Sequence, residues 1–293
     1  MAFVPFDDRD GWIWMDGDFV PWRDAKTHVL THALHYGSSV FEGERMYGGE
    51  IFKLTPHSER LHRSAQLLDF EIPYSVAEID AASKETCARM GLEDCYVRPV
   101  AFRGPEAVSV SAIHNKTRVA IAVWEWPSYF DPETKAKGIR LCWAPYKRPS
   151  PETAPTEAKA AGLYMIGTIN RHYAEARGYA DAMLLDWRGY VAEATGANAF
   201  FVRDGKLVTP PADGAILNGI TRQTVLDMLA ARGLEVEVRH IRPEELTDFE
   251  ECFLCGTAAE ITPVSEIGDD RFTPGKISLG LMKDYSRLVR GEA

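Results

Sequence analysis

The chain has 293 residues, 45% hydrophobic and 26% charged, with 43 acidic against 33 basic side chains and a net charge of -10. That balance argues against a nucleic-acid or anionic-membrane partner, which would require a basic face. No apolar run approaches the roughly 18 residues that span a bilayer, and the opening MAFVPFDDRDGW lacks a basic-then-apolar leader. With five cysteines, an odd number, the chain reads as cytoplasmic with reduced thiols.

The length suits two domains, each burying its own apolar layer. Trp12 to Trp22 predicts a hairpin turning at Asp16-Gly17, because Asp-Gly supplies the positive φ values of a tight turn. A second hairpin is predicted for Met46-Tyr47, Gly48-Gly49 and Ile51 to Leu54. Thr55-Pro56 then opens a helix, with threonine as cap and Leu61, Ala65 and Leu68 as its apolar stripe. Ser75 and Glu78 form a capping-box pattern for a helix reaching Gly91. Strands are predicted over Cys95 to Arg103 and Arg118 to Trp126.

Between Pro127 and Pro155 six prolines bracket one strand candidate, Ile139 to Trp143. The domains are therefore drawn as 1–127 and 138–293, with 128–137 connecting them. The second half predicts a helix from Ile166 to Arg177, strands Ala182 to Asp186 and Tyr190 to Glu193, and a hairpin at Asp204-Gly205. Thr221 to Arg232 is a helix stopped by Gly233, Leu234-Val236-Val238 alternate as a half-buried strand, and Ile277 to Val289 closes the chain as a helix. Both halves mix α and β, with neither a G-x-G-x-x-G nor a P-loop.

Three features carry chemistry. Lys159, in T-E-A-K-A-A-G-L-Y, has small neighbours that leave room beside the backbone, and a lysine in a partly dry pocket can act as a nucleophile. Glu193, in Y-V-A-E-A-T-G, ends an apolar strand beside small residues. In L-N-G-I-T-R-Q-T (217–224) a glycine leads into a helix, whose unpaired N–H groups suit a phosphate. Alone, each has an ordinary reading: a solvated lysine, a strand-end acid, a capped helix start. Together they are what pyridoxal 5'-phosphate needs: a Schiff-base lysine, a partner for the ring nitrogen and a phosphate anchor. The C-x-x-C at Cys252 and Cys255 has no second Cys/His pair, so no metal is assigned, and its apolar strand-like setting reads as inert buried thiols.

At this point the chain resembles the fold-type IV pyridoxal-phosphate enzymes (the class IV aminotransferases), and among them the branched-chain amino acid aminotransferases. The motifs carrying the resemblance are H-A-L-H-Y-G-S-S-V-F-E-G-E-R (32–45), E-R-L-H-R-S-A (59–65), Y-V-R-P (96–99), E-A-K-A-A-G-L-Y, E-A-T-G-A-N-A-F, N-G-I-T-R and G-T-A-A-E-I-T-P-V (256–264). The resemblance implies an α/β fold of a smaller N-terminal and a larger cofactor-binding C-terminal domain, with the site at their interface. It implies that Lys159 is catalytic, that Glu193 pairs with the ring nitrogen and that Tyr164 lies beside the ring. Arg60, Ile220, Thr221 and Thr257 would hold the phosphate, with Gly196, Leu217, Gly219 and Gly256 completing the cofactor site.

On the substrate side the resemblance implies Tyr36, Phe41, Arg98, Val110, Trp126, Tyr129, Thr257 and Ala258. Phe41, Trp126 and Tyr129 would wall an aliphatic pocket, Arg98 would meet glutamate's distal carboxylate, and the Gly256-Thr257-Ala258 turn would take the α-carboxylate. The partners implied are amino acids, 2-oxo acids and a second copy of the chain, as a homodimer or higher oligomer. Two departures bear on substrate range: Leu163 stands where the family usually has an amide, and Val108-Ser109-Val110 replaces a Met-Gly-Val-like stretch. The alternatives within the fold are a D-amino acid or (R)-amine transaminase, an aminodeoxychorismate-lyase-like enzyme, and a non-catalytic scaffold. Arg98-Pro99-Val100 lacks the Arg-x-His trap usual in the D-amino acid enzymes. Intact Lys159, Glu193 and Arg60 oppose the scaffold.

Overall fold

Asp16 and Gly17 both take positive φ, 51° and 99°, and turn β1 (Trp12–Met15) back onto β2 (Asp18–Pro21) as expected. The structure, a computed structural model, describes residues 4–126 and 132–292. It divides into two compact units, one built from the described residues up to 126 with Ala158–Gly162, the other from 132–157 and Leu163 onward.

In the first unit α1 (His32–Tyr36) stops at Gly37, in the left-handed region, and leads through β3 (Ser39–Phe41) and β4 (Glu44–Tyr47) to β5 (Glu50–Ile51). The next helix, α2 (Leu54–Leu67), starts one residue before the predicted Thr55 cap. Lys53, at φ 55°, occupies the cap position, and the Thr55 hydroxyl donates to Asp80 instead. The Ser75–Glu78 capping box is present at the start of α3 (Val76–Met90), satisfying orphan first-turn donors. Long strands β6 (Cys95–Arg103) and β7 (Thr117–Glu125) pair along their whole length. The sheet runs β2-β1-β7-β6-β4-β5, with β3 also on β6. Helices α2 and α3 cover this sheet, burying Leu61, Ala65 and Ile79 with Val97, Ile121 and Val123.

The second unit contains α4 (Pro132–Lys137), β8 (Ile139–Trp143) and most of α5 (Ala161–Glu175). The predicted 128–137 connection is described only from residue 132, where it is α4. Helix α5 begins five residues earlier than predicted, taking in Ala161 and Gly162. Gly162 lies against Gly37, whose own Cβ would meet Gly162 Cα at a tight 3.3 Å. Then follow β9 (Asp181–Leu185), β10 (Val191–Ala194), β11 (Asn198–Arg203), β12 (Lys206–Thr209), α6 (Ile220–Ala231), β13 (Val236–Val238), β14 (Glu251–Gly256), β15 (Glu260–Ile267), β16 (Asp270–Arg271) and α7 (Lys276–Leu288).

The strand order β10-β9-β8-β15-β14-β11 returns on itself through a β10–β11 pairing, so these six strands form a closed ring. Closure removes two sheet edges and packs Leu141, Met183, Phe201, Cys252, Leu254 and Val264 into one core. The predicted half-buried alternation at Leu234, Val236 and Val238 is not seen. The strand β13 is an edge strand on β12, and Leu234 and Val238 are exposed. Only Val236 in this strand is partly buried. Among the described residues no helix is long and apolar enough to cross a membrane.

Candidate active site

In the first unit, β3 delivers Phe41, Glu42 and Gly43 into the space between β6 and the Ala158–Gly162 segment. The Phe41 N–H donates to the Lys159 carbonyl (3.1 Å), Val40 bridges Ala160, and the Lys159 N–H donates to Ser64 Oγ (3.0 Å). These backbone ties seat half-buried Lys159, with Nζ 4.8 Å from the centre of the Phe41 ring. Arg98 lies over the same ring, also at 4.8 Å, and donates from Nη2 to the Tyr96 hydroxyl (3.2 Å). Two cations thus share one aromatic ring, a favourable quadrupole arrangement. Tyr96 packs against Trp124 and Trp126, at 5.1 and 4.8 Å between ring centres, so the cluster has an apolar wall. Arg98 Nε is buried and has no hydrogen-bond partner among the described residues.

Gly43 is required by this packing. A Cβ there would lie 2.0 Å from the Tyr96 hydroxyl. Behind it, Glu42 has no exposed surface and accepts from Arg60 Nε (2.7 Å), Arg60 Nη2 (2.9 Å) and His57 Nδ1 (2.6 Å). Burial pulls the Glu42 carboxyl up, but the charge of Arg60 and the His57 contact override it and hold it far below the ordinary range. His57 is pushed down by burial, with Glu42 opposing. Neither Glu42 nor His57 was singled out from the sequence, although both stand inside or beside motifs that were.

Tyr36 and Val110 are not part of the Phe41 cluster. Tyr36 is 46% exposed and Val110 87%. They are joined through His32, whose ring stacks on Tyr36 and whose Nε2 donates to the Ser109 carbonyl (2.9 Å), with Ser38 on Nδ1 (2.6 Å). Tyr129 lies outside the described residues.

In the second unit Glu193 on β10 stands opposite Asn198 on β11 in register. Glu193 Oε2 accepts from Asn198 Nδ2 (3.0 Å) and the Leu217 N–H (3.2 Å), and Oε1 is 3.2 Å from Arg148 Nε. Every named neighbour is a donor, the environment of an ionised carboxylate. Asn198 Nδ2 also donates to the Leu217 carbonyl (2.9 Å), tying this acid to the chain entering α6. Gly219 caps α6 without a side-chain hydrogen bond, and a Cβ there would meet Asn198 Oδ1 at 2.2 Å. The first turn of this 12-residue helix, with buried Ile220 and Thr221, therefore presents backbone donors and a positive dipole end.

Gly256 ends β14 against Gly196, and Thr257 and Ala258 form the following turn. A Cβ added to Gly196 would meet open space among the described residues. Tyr164 is half-buried on α5. Sequence reading missed Arg148, which sits in the proline-rich stretch with no local pattern to mark it. It overlooked Asn198 although the residue lies in a quoted motif. Cys252 joins the barrel core with Leu254, and the odd offset along a strand turns Cys255 to the opposite face. Both thiols are buried and raised by burial, Cys255 to about 12, as inert thiols should be.

Taken unit by unit, the groups are of the kind pyridoxal 5'-phosphate uses: a seated lysine in the first, and in the second a carboxylate ringed by donors and a glycine-led helix start without a side-chain cap. A family model described as amino-transferase class IV matches residues 39–267. The branched-chain-amino-acid aminotransferase of Pseudomonas aeruginosa is 40% identical over 292 residues, covering 97% of this chain and 95% of that protein. The branched-chain aminotransferase of Thermoproteus uzoniensis, solved with norvaline, aligns with a TM-score of 0.93 at 36% identity, over 97% of this chain and 96% of that one. The branched-chain amino acid aminotransferase of Thermobaculum terrenum, solved in its PLP form, aligns at 0.89 and 32%, over 97% of this chain and 95% of that one.

Proposed function

The chain belongs to the class IV aminotransferases, and from that membership we propose that it transfers the amino group between branched-chain L-amino acids (leucine, isoleucine, valine) and 2-oxoglutarate by a ping-pong mechanism. Its mixed α/β fold is that of fold type IV. The cofactor proposed is pyridoxal 5'-phosphate, supported by the Thermobaculum terrenum relative solved in its PLP form. Bound, that group supplies the electron sink for the transferred amino group. Lys159 would hold the cofactor through Nζ and would move the proton at substrate Cα. Glu193 would pair with the ring nitrogen, and Tyr164, Gly196 and Leu217 would border the ring. Arg60, Gly219, Ile220, Thr221, Gly256 and Thr257 would hold the phosphate.

The observation that carries the substrate reading is Arg98 laid over Phe41 beside Tyr96 and Trp126. An apolar wall accepts an aliphatic side chain, and a cation on it accepts glutamate's carboxylate. Thr257 and Ala258 are assigned to the α-carboxylate, with Tyr36, Val110 and Tyr129 completing the substrate set. Exposed Val29, Leu30, Leu34, Val110 and Ile113 in the first unit support a homodimer, which would cover them. Five free, buried thiols support a cytoplasmic setting.

Purified protein should carry a cofactor absorption band that borohydride fixes to the chain, and Lys159→Ala should lose that attachment. A band consumed by D-alanine or (R)-1-phenylethylamine but not by L-leucine would overturn the branched-chain assignment. Light scattering that reports a monomer would remove the homodimer.

A further inference from the structure

We propose that Arg148 is a positioning residue that decides where the cofactor's ring proton sits, by keeping Glu193 ionised. The inference rests on the proposed pairing of Glu193 with the ring nitrogen. Glu193 is 8% exposed, and burial by itself favours the neutral acid. A neutral acid would hand its proton to a hydrogen bond with an unprotonated ring nitrogen, and the ring would be a poorer electron sink.

Three donors oppose that outcome, and they are not equivalent. Asn198 Nδ2 and the Leu217 N–H supply neutral hydrogen bonds to Oε2. Arg148 Nε stands 3.2 Å from Oε1 and supplies a formal charge. It is held in place, because Nη2 donates to the Thr156 carbonyl (3.0 Å) and Nε also reaches the Ala215 carbonyl (3.4 Å). Arg222, whose field also reaches Glu193, is committed to Asn218 Oδ1 and the Pro210 carbonyl, and burial lowers it. A permanently charged guanidinium beside a carboxylate makes it a weaker base. In a shared N···H···O bond the proton goes to the more basic partner, so Arg148 leaves it on the ring nitrogen.

The role also separates charge from hydrogen bonding. A neutral donor in place of Arg148 would preserve the contact and lose the effect, while a lysine would preserve the charge. Loss of Asn198 would remove a hydrogen bond and leave the proton where it is.

The test uses holoenzyme loaded with pyridoxal 5'-phosphate carrying nitrogen-15 in the ring, whose resonance reports protonation directly. Wild type and Arg148→Lys should show the protonated position, and Arg148→Gln should move toward the unprotonated one, with a matching shift of the cofactor absorption band. Asn198→Ser, with Arg148 intact, should stay at the wild-type position. An unmoved Arg148→Gln resonance overturns the inference. So does an Asn198→Ser resonance at the unprotonated position, which decides the matter even if Arg148→Gln does not fold. Wild type that takes up no cofactor, or holds it with an unprotonated ring, overturns the underlying assignment of Glu193 and this inference with it.

Discussion

Glu42 and Arg60 meet edge to edge: one carboxylate oxygen accepts from Nε at 2.7 Å, the other from Nη2 at 2.9 Å, and the carboxylate has no exposed surface. A bidentate pair of this kind fixes the guanidinium plane as well as its charge. Because Arg60 is proposed to hold the phosphate, Glu42 would set the direction in which it does so.

Removing one partner of a buried pair leaves an uncompensated charge and costs about 3–5 kcal/mol. Glu42→Gln should therefore unfold at lower denaturant and bind pyridoxal 5'-phosphate less tightly, both measurable by titration. The Glu42 carboxyl is held below its unfolded value, so its contribution is present above about pH 4.3, the ordinary glutamate value. That contribution fades as pH falls toward its folded value. The variant should accordingly lose stability at neutral pH and converge with wild type in acid.

Glu44, two residues on, behaves oppositely. Both of its oxygens are buried without a hydrogen-bond partner among the described residues. Burial first, then the nearby Glu42 charge, pushes it well above the ordinary value. Its folded form keeps a proton that its unfolded form releases, so its stability penalty grows as pH rises through the unfolded value. Glu44→Gln should raise the melting temperature more at pH 8 than at pH 5, at about 2–4 °C per kcal/mol for a chain of this size. A difference that shrinks with rising pH would show that Glu44 is ionised in the folded protein.

Gly43→Ala would place a methyl 2.0 Å from the Tyr96 hydroxyl. Tyr96 is wedged between Trp124 and Trp126 and cannot yield cheaply, so its contact with Arg98 should break. Turnover should fall about 10–100-fold, the loss expected of a misplaced binding group. The cofactor band should persist. A variant with wild-type turnover would mean that the Tyr96–Arg98 contact is dispensable.

Arg98→Met keeps the apolar wall and deletes the cation. A charge-assisted hydrogen bond is worth about 1.5–3 kcal/mol, so kcat/KM for glutamate should fall roughly 10–150-fold while leucine changes little. Equal losses on both substrates would remove Arg98 from the recognition of the acidic side chain.

Much of this site is legible in the chain because its motifs are short. The Asp16-Gly17 turn, the Ser75–Glu78 box and the Gly219-led helix start are each set by residues within a few positions of one another, and all three are present. The starts of α2 and α5 are less legible. Lys53 adopts positive φ and Gly162 packs on Gly37, and neither choice follows from local propensity. The β13 strand has the right alternation and the wrong burial, since alternation does not say whether a strand has neighbours on both sides.

By itself the sequence determined the chemistry on offer: a lysine among small residues, an acid closing a strand, a glycine before a helix, an arginine within Y-V-R-P. Those are statements about residue type and local spacing, which covalent geometry settles over a turn or a strand. Only the tertiary structure decided which groups share a charge. Glu42 came to Arg60 and His57 where the chain after β3 meets α2, and Glu193 on β10 came to Arg148 in the loop after β8, pairings that no local rule connects. Burial then made those pairings matter, since a carboxylate out of water takes its protonation from the few groups that touch it.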